Sequence, residues 1–147
     1  MRIKNLDRIT NSGNVKGRKT VCEILEAGLQ AADPYINTKR LISIKDNKLI
    51  IGCEDFEPID SPRTGYDTYD LADIDRIFVF GAGKGVQQVA SAIEDVLADH
   101  LSGGHVIAKH GDNTIVKRIK VTYGAHPIPD ENCVKGSIEL IDTVKKL

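Results

Sequence analysis

The sequence lacks the marks of a disulfide-stapled, membrane-spanning or nucleic-acid-coating chain. Its three cysteines, Cys22, Cys53 and Cys133, form no CxxC pair, which excludes zinc-knuckle and thioredoxin-type motifs. Disulfide scaffolds belong to far smaller secreted chains, so none is expected at 147 residues. Charge of neither sign dominates: 20 basic and 21 acidic residues leave −1, against the strongly basic balance of a dedicated nucleic-acid binder. No run approaches the ~18 apolar residues of a membrane span, and the first fourteen residues hold no signal-peptide core. The expected compartment is the cytosol. His100, His105 and His110 fall on different elements, so no metal cluster is expected.

What is present is enough for one globular domain. Leu, Ile, Val and Phe number 42, above the level at which disorder is the default. Charge is uneven along the chain. Residues 1–19 carry six bases and one acid, and residues 54–75 carry eight acids and one base. Residues 1–17 read as a basic arm and residues 18–147 as the folded domain. Val21, Ile24, Leu25, Gly28, Leu29 and Ala32 share one helical face, which predicts a helix over 18–32 stopped by Asp33-Pro34. Two β-branched runs around Asp46-Asn47 predict a hairpin over 41–52, followed by a polar loop over 53–70.

From residue 76 the rhythm changes. Apolar strands are expected at 76–80, 105–109 and 118–122. A helix begins at Val86 and continues to Leu101, with Ser102-Gly-Gly104 ending it. A last helix carries Val134, Ile138, Ile141 and Val144 on one face. This order predicts an α/β fold: a Rossmann-like open parallel sheet with helices on both faces.

Two motifs follow strands. In Gly81-Ala-Gly-Lys-Gly85 the glycines permit a tight turn and close approach to a ligand. The helix start behind them favours an anion, and Lys84 adds a positive charge. This suits phosphate or carboxylate, although a purely structural strand-to-helix turn would use the same residues. It is neither a Walker A loop nor a dinucleotide fingerprint, because Gly85 stands where Ser or Thr would follow the lysine and Val86 replaces the third glycine. The second motif is Gly124-Ala-His-Pro-Ile-Pro-Asp-Glu131. Its prolines stiffen the loop that presents His126 at the same sheet edge, while Asp130 and Glu131 suit the cap of the last helix.

The pair GAGKG and AHPIPDE, in this order, resembles the N-terminal domain of the glycerate 2-kinase family, whose members also carry the label hydroxypyruvate reductase. The likeness runs from about Arg18 to the end, with Gly85 where the family has alanine and Ala125 where it has glycine. It implies ATP-dependent phosphorylation of glycerate at its 2-hydroxyl, with ATP and Mg2+ in the complete enzyme. It implies Lys84 as the catalytic residue, with Gly81, Gly83 and Gly85 around phosphate, while His126 is expected as a substrate-side donor from its loop position alone. Members are longer, so the chain is expected to be an N-terminal fragment, inactive alone and binding no cofactor strongly. The remainder would come from the same protein or from a second chain. No nucleic acid, membrane or metal-ligand partner is implied. The competing readings are a non-catalytic anion-binding module and a hydroxypyruvate reductase.

Overall fold

Local capping and turn chemistry decide where most elements begin and end. The computed structural model describes residues 2–57 and 65–147, which divide into two units, Met1–Asp33 and Pro34–Leu147. In the first unit, α1 spans Leu6–Thr10 and α2 spans Val15–Ala31. Asn14 caps α2 by accepting from the Gly17 N–H at 3.0 Å, which starts the helix three residues earlier than the apolar pattern does. The N–H groups of Arg2 and Ile3 donate to the Glu26 carboxylate. The stretch expected as a basic arm therefore holds a helical turn and is tied to α2.

The second unit opens with α3, Pro34–Leu41. Proline suits the first helical position, where its missing N–H costs nothing, so the residue that ends one helix starts the next. The expected hairpin forms from β1, Ile42–Lys45, and β2, Lys48–Ile51. Asp46 and Asn47 turn it with φ of 51° and 58°, as a two-residue type I′ turn requires. A third strand, β3, Asp67–Asp70, pairs antiparallel with β2 inside the stretch expected as loop. Residues 58–64 of that stretch lie outside the described residues.

The parallel layer consists of β4 (Ile77–Gly83), α4 (Val86–Leu97), β5 (Leu101–Lys109), β6 (Lys120–Gly124) and α5 (Glu131–Val144). Strand order is β4-β5-β6, every pair parallel, as expected for an open α/β sheet. Val106 joins Ala90, Leu97, Leu101 and Ile119 in the core on the α4 side. Its neighbour Ile107 faces the other way, against Gly136 of α5, so the two helices cover opposite faces.

Three boundaries differ from the sequence reading. The helix stops at Leu97 rather than Leu101, because Ala98 takes φ 45° and Arg118 donates to the Ala98 carbonyl at 2.7 Å. Ser102-Gly-Gly104 is strand, and a side chain on Gly104 would sit 2.1 Å from the Val79 carbonyl oxygen. Glycine lets β4 and β5 approach there. The strand expected from Arg118 begins at Lys120, because the N–H groups of Lys117 and Ile119 donate to the Glu94 carboxylate at 2.8 and 2.7 Å instead of to the sheet.

Candidate active site

The three parallel strands end on one edge. Gly83 lies opposite Ala108, and Lys109 lies opposite Gly124, so the chain leaves β4, β5 and β6 side by side. This is where open α/β sheets bind ligands. The first exit turns at Gly83, with φ 139°, and passes Lys84 into α4. Gly85 is the N-cap of α4 and supplies no side-chain capping bond, which leaves the first-turn N–H groups for an outside acceptor. The third exit holds His126, whose peptide to Pro127 is cis.

Asp130 shapes that third exit. It accepts from the Ala125 N–H at 3.2 Å and the Cys133 N–H at 3.1 Å, closing the loop and capping α5. The hydrogen bond from Ala125 leads the causes that hold its carboxyl well below the usual carboxylate range. Asp130 therefore takes the capping role.

A cavity of about 190 Å³ opens between the exits. Gly83 and Lys84 line it from the first exit, Lys109 from the second and His126 from the third. Cys133 and Ser137 of α5 complete the wall. Gly83, Lys84 and His126 of the sequence-derived set thus meet at one cavity. Gly81 and Gly85 do not line it: a side chain on Gly81 would press on Val86 at 3.0 Å, and Gly85 caps α4. Lys109 and the α5 residues carry no motif. The signal for Lys109 is its place as the last residue of an expected strand, the same placement that singled out the glycine loop. Among the described residues, no carboxylate lines the cavity and no group of three or more His, Cys, Asp or Glu gathers. The walls suit an anion and do not fit Mg2+ by their own side chains. No described helix is long and apolar enough to cross a membrane.

His105 lies apart from the cavity. It is 0% exposed, and its Nε2 is 3.1 Å from the Thr122 hydroxyl. Burial first, then the Lys120 charge, lower its pKa. Sequence reasoning gave it no role. Gln87, also buried, is likewise absent from the sequence reading; it donates to the Thr114 carbonyl and the Tyr123 hydroxyl.

Residues 20–147 match the family described as a domain of unknown function (DUF4147). The chain belongs to this family, the N-terminal region of the glycerate 2-kinases. It is 29% identical over 129 residues to a glycerate 2-kinase from Pyrococcus horikoshii, covering 88% of this chain and 26% of the relative. It is 26% identical over 106 residues to a D-glycerate 2-kinase from Thermotoga maritima, covering 71% of this chain and 25% of the relative. Over 72 residues it is 32% identical to a putative hydroxypyruvate reductase from Agrobacterium vitis, covering 49% of this chain and 19% of the relative. A crystal structure of a Pyrococcus horikoshii protein shares the fold with a TM-score of 0.66 at 27% identity, over 88% of this chain and 26% of that one. The chain spans about a quarter of the length of the glycerate 2-kinases it matches.

Proposed function

We propose that this chain forms the Lys84 side of a glycerate 2-kinase active site in the cytosol, where a phosphoryl group passes from ATP to the 2-hydroxyl of glycerate. The observation that carries the reading is a cavity at the strand exits lined by Lys84 and, among the described residues, by no carboxylate. Phosphoryl transfer depends mainly on positioning and on offsetting charge at the phosphoryl oxygens. The Lys84 ammonium and the uncapped N–H groups of α4 offer that offset at one place. His126, on the facing exit, donates to a substrate oxygen. Gly81 and Gly85 act indirectly, by setting the turn that presents Lys84. A bound Mg2+ would neutralise phosphate charge; among the described residues the cavity walls offer it no carboxylate, so no step is assigned to it. The chain alone binds ATP and Mg2+ weakly, and the rest of the site comes from the same protein or a second chain.

The name of the Agrobacterium relative raises the reductase reading. The loop argues for the kinase, because Val86 stands where a dinucleotide fingerprint places its third glycine. Both are tested in a full-length protein carrying this segment. The expected result is 2-phosphoglycerate formed from ATP and glycerate, with Lys84→Ala lowering turnover by ~10²–10³ at an unchanged melting temperature. NADH oxidation with hydroxypyruvate, and no ATP-dependent product, would overturn the reading.

A further inference from the structure

The cavity holds a second lysine that the sequence motifs do not predict. Lys109 is the last residue of β5, the central strand, and lines the same cavity as Lys84. Both side chains are exposed, and among the described residues neither forms an ion pair with a carboxylate. Lys84 follows the end of β4 and Lys109 ends β5, with Gly83 paired to Ala108, so the two residues stand at adjacent strand exits. Two like charges that share one cavity repel one another, and an anion between them removes the repulsion. A cavity of about 190 Å³ with two lysines, one histidine and no acid is built for a small ligand carrying more than one negative group.

We propose that Lys109 is a second substrate-binding cation, and that the ligand is a small organic acid with two anionic heads, its carboxylate on Lys109 and its phosphoryl group on Lys84. The assignment follows from what accompanies each lysine. Lys84 precedes the uncapped start of α4, whose N–H groups suit the several oxygens of a phosphoryl group. No helix starts behind Lys109, and a lone ammonium suits a carboxylate. The identity of the two heads rests on the kinase reading, because 2-phosphoglycerate carries both on one carbon, C2. The pairing of two cations with two anionic heads does not rest on it.

The test is an amide NMR titration of the 147-residue chain with three probes: D-glycerate, glycerol 2-phosphate and 2-phosphoglycerate. Lys109→Met is expected to weaken glycerate and 2-phosphoglycerate by about tenfold, the loss of one charged hydrogen bond, and to leave glycerol 2-phosphate unchanged. Lys84→Met is expected to weaken the two phosphorylated probes and leave glycerate unchanged. Unaltered spectra away from the cavity show that both variants stay folded. Equal weakening of all probes by Lys109→Met, no effect of that variant, or no response of cavity amides to any probe would each overturn the proposal. Malonate serves as a fourth probe. If it binds as tightly as 2-phosphoglycerate and depends on both lysines, the two-cation assignment holds and the glycerate reading fails.

Discussion

At the scale of single residues, His105 links burial to pH. Its ring is sealed on the α5 side of the sheet, hydrogen-bonded to Thr122, with Lys120 and Glu139 as the charges around it. The Nδ1 atom is buried without a partner, so a proton added there gains no hydrogen bond. Burial and Lys120 lower the pKa, and Glu139 opposes them. The folded state therefore holds the proton less tightly than the unfolded chain. Stability is complete above the unfolded value of ~6.5 and falls as the pH drops below it toward the lower folded value. The carboxylates with lowered pKa, Asp130 and Glu139 among them, lose their contribution only at more acid pH. A window between about pH 5 and 7 thus separates the histidine from these carboxylates. His105→Gln keeps an amide near Thr122 and is expected to cost about 1–2 kcal/mol at pH 7.5. It should also flatten the decline of melting temperature across that window. Parallel curves for the two proteins would show that His105 does not titrate there. This residue was not legible as special in the sequence, because a histidine in an apolar strand looks the same whether its ring is sealed in or solvated. Lys84 and His126 were legible, because each sits in a motif whose glycines or prolines punctuate a strand exit. Lys109 has the same position and no motif.

Among the elements, the contact between β4 and β5 depends on Gly104. Its φ is 158°, and an added side chain would meet the Val79 carbonyl at 2.1 Å. Gly104→Ala should lose about 3–5 kcal/mol through overpacking and backbone strain together. Gly111→Ala has open space and φ 88°, so it should lose only the strain, about 1–2 kcal/mol. Urea unfolding of both variants checks the ranking, and comparable losses would remove close strand approach as the cause. Local signals explain which elements the sequence revealed. The hairpin shows in Asp46-Asn47, and the three parallel strands show in their apolar runs. β3 left no trace, because Asp67–Asp70 is polar and exposed throughout and becomes a strand only by pairing with β2. The boundaries at Leu97 and Lys120 moved because Arg118 and Glu94, distant in sequence, supply the hydrogen bonds there. Periodicity found the apolar stripe of α5 but not its surroundings. Val134, Ile138, Ile141 and Val144 are 46–60% exposed, whereas Gly136 is buried and faces Thr122 and Ile107. A small residue brings that helix face onto the sheet, and the larger apolar side chains point away from it.

For the whole molecule, the composition of the site limits what the chain does alone. Phosphoryl transfer to glycerate needs an anchored nucleotide, charge neutralisation across its phosphates and a site closed to water. The cavity supplies two lysines, a histidine and a strand-edge frame. Among the described residues it supplies no carboxylate to hold Mg2+ or to accept the proton of the 2-hydroxyl. The chain covers 26% of the Pyrococcus glycerate 2-kinase and 25% of the Thermotoga one, which leaves three quarters of those proteins for the missing groups. The 147-residue chain with ATP, Mg2+ and D-glycerate is therefore expected to form 2-phosphoglycerate at least ~10³-fold more slowly than a full-length relative, the scale of loss when a preorganised group is removed. The amide titration on the same sample separates the two ways of being inactive. Probe binding without turnover is the expected outcome and means a folded but incomplete site. Turnover within about tenfold of the full-length relative, or ~1.4 kcal/mol in barrier, would mean that the base and the metal site lie within these residues. The place to look would then be two carboxylates on the segments that follow β5 and β6, Asp112 and Asp130. Asp112 already accepts from the Thr114 N–H and hydroxyl, and Asp130 caps α5, so activity of the chain alone would require one of them to give up its present hydrogen bonds.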